Sequence, residues 1–395
     1  MPGVYRWLHF GRAGDPLEPI TRGPLHHFFG YYDKSPWNAS GNLVLAHEAA
    51  FNDRPPKAGD SVTIGVVHVA GQNDFEPLAS SSAWNWQQGA MLQWHPSDPD
   101  GAFIHNDCRD GIHVGIVRAT DGREIRVYDR PIYAITPDGR HALSVNFARL
   151  QTHRPGYGYT GSFDRWSDDR APSEDGIHLV DLANGASRLV LSLATLASTD
   201  PRESMRQGFH YINHLQPSPG GKRIAFFHVW STGEAKWEVR LYTMASDGTG
   251  LRCVLDSGRV SHYDWLDDGR ILVWAHQLGR GDRFLICDDC GGRPQVFAEG
   301  ALTEDGHCSF SPDRSWILND TYPDEHDMRT LMLLRFRDQK RVELARLYSP
   351  KARWWGEIRC DLHPRWNRDG TKICLDSVHD GTRQMYVMDV SPWVR

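Results

Sequence analysis

The sequence predicts an all-β chain folded as one seven-bladed β-propeller of four-stranded blades, and three observations carry that prediction. A short pattern recurs seven times, further strand-like runs follow each copy, and 37 Gly, 23 Pro and 15 Trp in 395 residues suit many tight turns between short strands. The pattern has a position that is often His, an aromatic or apolar residue three places on, a polar turn usually ending in Asp-Gly, and then an apolar strand. It reads as strand, turn, strand. Copies begin at Lys34, Met91, Ile132, His214, His262, His307 and His363, with starts 41 to 57 residues apart except for one gap of 82.

Each element follows from this repeat. After the paired strands come two more runs, such as Glu238 to Tyr242 then Leu251 to Leu255, or Phe284 to Cys287 then Gln295 to Ala298. Blade 7 has only three runs after His363, the last being Tyr386 to Val390. The β-prone run Val4 to Phe10 is therefore expected to close the ring as its outer strand, removing two exposed sheet edges. The whole chain, 1–395, reads as a single domain. The 82-residue gap follows the predicted strand Ala142 to Phe147 and holds Arg149 to Glu174, a Gly-, Pro-, Arg- and Tyr-rich stretch. Loops of more than about 15 residues in compact domains are usually functional or disordered, and the aromatics here favour function.

The formal net charge of −6 argues against nonspecific nucleic-acid or membrane binding, so an acidic ligand would need a local basic patch. Seven scattered cysteines read as free thiols, and the lone C-x-x-C, Cys287 to Cys290, as a turn. Without a signal-peptide-like start or an apolar span, the expectation is a cytoplasmic protein as given, secreted or periplasmic if a signal was trimmed. No organic cofactor is expected.

In a propeller, the starts of the inner strands and the loops between second and third strands converge on one face of the central channel, the top. His214, His262, His307 and His363 occupy one repeat position in four successive blades, which makes them candidate ligands of a divalent metal (Zn, Mn or Ca), structural or catalytic; His210 and Cys308 lie nearby. A second group lies on blades 2 and 3: Gln87, Gln88, His105, Asn106, Asp107 and Arg109, then Arg149, His153, Arg154, Tyr157, Tyr159 and Arg170 in the long loop. Abstracting the C5 proton of a uronic acid needs a base, a group that neutralises the carboxylate, and an acid for the leaving oxygen; this group holds each type. Trp84, Trp86, Trp166, Trp230, Trp354 and Trp355 are candidate sugar-stacking surfaces, whereas Trp37, Trp94, Trp265 and Trp366, fixed in the repeat, read as packing.

The opening HHFFGYYDKSPWN (His26 to Asn38), with WNWQQGAMLQW and RPGYGY, resembles the seven-bladed propeller polysaccharide lyases that include ulvan lyases and rhamnose–glucuronate lyases; oligogalacturonate lyases look like a more distant relative, with a metal-binding cluster of channel histidines. The resemblance implies elimination next to a uronate by histidines and a tyrosine, with an arginine on the carboxylate. Some relatives bind a structural metal, and one related family is assigned to rhamnoside hydrolysis. Carried over, His105 matches the later histidine, Tyr157 the tyrosine, with Tyr159 second and His153 a stand-in, and Arg170 the carboxylate arginine, with Arg154 and Arg165 competing; Arg109 joins the catalytic candidates from the blade 2 group. The family's first histidine is replaced by Gln87 or Gln88. Gln88, Asn106, Arg149, Arg154, Tyr159 and Trp86 form the expected substrate-binding surface. The reading is a lyase acting on an acidic polysaccharide or oligosaccharide at the top of blades 2 and 3; the alternatives are a glycoside hydrolase on a related glycan and a noncatalytic glycan- or protein-binding propeller.

Overall fold

The computed structural model describes residues 17–69, 74–233 and 236–395. They form seven four-stranded antiparallel sheets set in a ring, a β-propeller. In blade 4, for example, Phe209–Pro217, Arg223–Gly233, Lys236–Ala245 and Arg252–Gly258 run in chain order from one edge of the sheet to the other. Inner positions are covered on both faces by neighbouring blades, so the strand Leu43–Ala49 is almost wholly buried. The last strand of blade 2, Glu124–Tyr128, exposes four of its five residues.

The ring closes through an N-terminal strand, as expected, but that strand is Leu17–Pro19, pairing Leu17 with Met388 and Pro19 with Tyr386. Val4 to Phe10 lie outside the described residues. Blade-to-blade joints also use the repeat tryptophans. Trp94 donates its indole N–H to Pro36 O at 2.7 Å, Trp265 to Gln216 O at 3.1 Å and Trp366 to Ser309 O at 3.3 Å, each tying its blade to the one before. A buried indole N–H needs such a partner.

Two departures from the repeat shape the top face. In blade 1 the inner strand is His26–Phe28 and not the segment beginning at Lys34; the chain leaves the sheet and returns at Trp37, which bridges Val44. Gly30 makes this excursion at φ 130°, where a Cβ would stand 2.7 Å from Gln88 O. Tyr31 and Tyr32 are thereby carried in among the channel histidines. In blade 3 the second strand, His141–Ser144, stops short of the predicted Phe147, because Asn146 caps a helix, Phe147–His153, accepting from Arg149 N at 3.1 Å. The long loop thus begins as a helix. Its RPGYGY segment then folds back on that helix, Tyr159 N donating to Phe147 O, and a Cβ on Gly158 would lie 2.1 Å from Gln151 N.

Candidate functional site

The four repeat histidines surround the tyrosine pair. Ring centroids of His214, His262, His307 and His363 lie 5.5, 5.7, 5.3 and 6.3 Å from that of Tyr32. Only two of the four converge on a common point. His307 and His363, with Asp361, place one ligand atom each within 4.8 Å of one another, all three residues being buried.

The hydrogen bonds of this trio define its chemistry. His307 donates from Nδ1 to Asp320 Oδ1 at 2.8 Å, and His363 from Nδ1 to Gly30 O at 2.8 Å. With both Nδ1 protons engaged, the lone pair of each ring sits on Nε2. Neither Nε2 has a hydrogen-bond partner, and each stands 3.9 Å from Asp361 Oδ2. Burial pushes both imidazoles below the usual histidine range and so keeps them neutral. Burial would push Asp361 up, but Arg359 (Nε 2.7 Å from Oδ2) and Arg329 (Nη2 2.8 Å from Oδ1) hold its carboxyl well below the ordinary range. His363 also adopts φ 41°, a left-handed conformation costly for a residue with a Cβ. Two orphaned imidazole nitrogens facing one buried carboxylate are expensive unless something binds them. Their donor set fits a divalent cation.

His262 and His214 stand outside this trio. His262 is held through Nδ1 by Asp305 Oδ1 at 3.0 Å, and its ring lies 4.2 Å from that of His307. His214, at φ 51°, stacks on Tyr263 at 4.3 Å with neither ring nitrogen hydrogen-bonded. Sequence reasoning missed Asp361 although a signal was present. Asp-x-His ends on a repeat histidine twice, at Asp305/His307 and Asp361/His363, and in each of these the aspartate faces the histidine of the preceding blade.

An open depression adjoins the histidines at His262; Tyr31, Arg154, Tyr157, Tyr211 and Trp237 are also among its lining. Tyr157 Oη accepts from Arg359 Nη2 at 2.6 Å, linking this wall to Asp361. Tyr157 and Arg154 therefore sit on the histidine side. The rest of the blade 2 and 3 group does not join them there. His105 is fully buried, its Nδ1 on Asn106 O and its Nε2 accepting from Arg118; burial lowers its pKa to about 4. Asn106 bonds Ile132 and Tyr159, and Tyr159 is buried beneath it. Arg149 spends its N–H groups on Asp164 and on the carbonyls of Trp166, Asp169, Arg170 and His210. Gln88 donates to Tyr133 Oη and Gln87 to the carbonyls of Glu357 and Arg359.

Arg170 donates to Gln207 O and lies over Phe209; His153 stacks on Phe209 and Tyr211. Arg109 forms a surface pair with Glu124. Trp84, Trp86, Trp230 and Trp354 are packed inside, whereas Trp355 is exposed. The seven cysteines are free. Trp237, which reaches the depression, was not among the tryptophans singled out in the sequence.

No protein-family model and no curated protein matches the chain. Solved structures do. An oligogalacturonate lyase in complex with manganese superposes with TM-score 0.68 at 15% identity, covering 94% of this chain and 92% of that one. An oligogalacturonate lyase from Vibrio parahaemolyticus gives 0.66 at 11%, covering 95% and 93%. A puromycin-hydrolyzing peptidase from Mycobacterium tuberculosis gives 0.56 at 12%, covering 93% of this chain and 51% of that one. Identities this low establish the propeller fold; ulvan and rhamnose–glucuronate lyases are not among these structural relatives.

Proposed function

We propose that the chain is a divalent-metal-dependent lyase that cleaves an acidic oligosaccharide by β-elimination beside a uronate. The observation that carries this reading is the buried His307–Asp361–His363 trio, with two unpartnered Nε2 atoms, next to an open depression whose described lining includes no carboxylate. Likeness to oligogalacturonate lyases, one of them a manganese complex, supports it.

His307 Nε2, His363 Nε2 and Asp361 would hold the ion. Two imidazoles and one carboxylate suit Mn²⁺ or Zn²⁺ better than Ca²⁺, which prefers an all-oxygen shell. A bound divalent ion would polarise the uronate carboxylate and so make the C5 proton more acidic. The remaining roles fall to side chains. His262, oriented through Nδ1 by Asp305, offers Nε2 as the base that takes the C5 proton. The C5–H electrons form the C4=C5 double bond as the C4–O bond breaks. Tyr157 accepts from Arg359 and keeps its own O–H to protonate the leaving oxygen, with the guanidinium beside it to balance the charge left behind. The base role that family resemblance suggests for His105 passes to His262, because both His105 nitrogens are already engaged.

A screen of uronate-containing oligosaccharides tests the reading. The expected product carries an ultraviolet-absorbing unsaturated uronate, its formation stopping with chelator and returning with Mn²⁺. New reducing ends without that absorbance would replace elimination by hydrolysis. Protein purified without chelator that carried no stoichiometric metal, and melted at the same temperature with or without Mn²⁺ or Zn²⁺, would remove the metal.

A further inference from the structure

The outer wall of the depression belongs to blade 4, whose second and third strands, Arg223–Gly233 and Lys236–Ala245, are 11 and 10 residues long, against 5 and 8 in blade 6. Their register places Tyr211, Val229 and Val239 in one cross-strand row. Trp237, opposite Ser231, shares the face of Val239 one step nearer the hairpin end, because side chains two apart on a strand point the same way. The row is apolar, yet Trp237 remains 41% exposed. A large indole left in contact with solvent at the edge of a depression presents a flat apolar face that a sugar ring can cover.

Arg154, at the end of the helix that opens the blade 3 loop, meets this tryptophan. Its guanidinium carbon lies 5.6 Å from the Trp237 ring centroid and 5.1 Å from that of Tyr157. Two aromatic rings thus set its position, and among the described residues it has no carboxylate partner. In a chain with net charge −6, the described lining of the depression contains no Asp or Glu. A guanidinium oriented by ring contacts and lacking an acid keeps its N–H fork for a ligand carboxylate.

We infer that Trp237 and Arg154 form an outer sugar subsite that takes a second uronate unit, the C–H face of its pyranose ring on the indole and its carboxylate on the guanidinium. This rests on the reading that the depression receives an acidic oligosaccharide. Arg359 engages the Tyr157 hydroxyl whereas Arg154 contacts only its ring, so the subsite would act on binding and on chain-length preference and take no part in bond breaking.

The experiment measures binding and turnover separately, on the full chain with Mn²⁺, using trigalacturonate, its carboxyl-reduced neutral counterpart and monomeric galacturonate as probes. Wild type should bind the acidic trimer more tightly than the neutral one. W237A and R154Q should each weaken the acidic trimer about tenfold or more while moving the monomer by less than about twofold, with W237F restoring part of the loss. Unchanged melting temperatures would show that the exposed substitution leaves the fold intact. If wild type binds the acidic trimer with this dependence but never cleaves it, the subsite stands and the lyase reading falls. If wild type cleaves the trimer while W237A and R154Q bind it as tightly as wild type, the subsite is overturned and the lyase reading stands. Failure of wild type to prefer the acidic trimer overturns the subsite.

Discussion

Around one channel mouth, blades 6 and 7 keep two buried imidazole nitrogens without partners, while blades 2 and 3 engage the polar atoms of His105, Asn106 and Arg149 in bonds to their own surroundings. Both regions are buried and both are rich in residue types that do chemistry. Blades 2 and 3 leave atoms such as Gln88 Oε1 and both His178 nitrogens unpaired as well, so what separates the two regions is that the free nitrogens of His307 and His363 converge with a carboxylate. A buried polar atom that has found a protein partner braces the fold, whereas two unpaired imidazole nitrogens aimed at one buried carboxylate offer a cation its donors. The two arginines at Asp361 add to the contrast. They hold the carboxylate ionised beside two free imidazole nitrogens, where Arg149 ties Asp164 and four carbonyl oxygens of its own surroundings together.

The sharpest way to break this comparison is to remove one nitrogen from each side. H363A should lose stoichiometric Mn²⁺ or Zn²⁺ by elemental analysis, and turnover should drop on the order of a thousandfold, the several kcal/mol that a Lewis acid supplies. H105N should keep metal and turnover but lose about 1 to 3 kcal/mol of stability, since Arg118 Nε loses its acceptor. Reversed results, with turnover lost in H105N and retained in H363A, would return the chemistry to blade 2.

Tyr157 belongs by sequence to the blade 3 loop and by contact to the histidine side, so it tests where the boundary lies. Y157F keeps the ring under Arg154 but removes the oxygen that accepts from Arg359. Turnover should fall on the order of a hundredfold with KM little changed, as expected for a proton donor acting in the transition state. A rise in KM at constant turnover would recast Tyr157 as a binding residue only.

The comparison also has a pH signature. Burial lowers the pKa of His105 to about 4 and that of His47 to about 3, the latter with Nδ1 donating to Phe28 O and Nε2 accepting from Ala90 N. In the unfolded chain both titrate near about 6.5. The unfolded state therefore binds more protons below that value, and the stability present above pH ~6.5 is lost as pH falls toward 4 and then 3. Denaturant unfolding should show a loss of up to a few kcal/mol between pH 7 and 4, shallower in H105N than in wild type. Equal slopes in the two proteins would mean that His105 takes up its proton without opening the blade.

The blade count, the single ring and the histidine positions were legible in the sequence because a repeat writes them several times over. Ring closure was legible in kind but misplaced, since Leu17–Pro19 is three residues long and carries little β-strand pattern. Asp361 was legible in principle, because Asp305 and Asp361 each stand two residues before a repeat histidine. The tyrosine pair was visible in GYYD, but its place among the histidines depends on the excursion at Gly30, which no local propensity predicts. For blades 2 and 3, the residue types were right for acid–base chemistry and the environment was not. Which carbonyl meets Arg149, or which guanidinium meets His105, is decided by tertiary contacts tens of residues away.

The smallest effect makes the most specific check on the blade 2 side. Arg109 is a catalytic candidate by sequence, yet it pairs with Glu124 Oε2 at 2.5 Å and approaches Asp107 at 3.6 Å, and its side chain is 39% exposed. Arg118 shares the same Glu124, at 3.4 Å, so removing Arg109 leaves that acid with a second cation. Exposed pairs of this kind contribute about 0 to 1 kcal/mol, screened further by salt. R109A should therefore shift stability by less than about 1 kcal/mol, an effect fading at high salt, and leave turnover within about twofold of wild type. A tenfold loss of turnover with an unchanged melting temperature would show that Arg109 leaves Glu124 to meet substrate, and would place part of the working site back on blade 2.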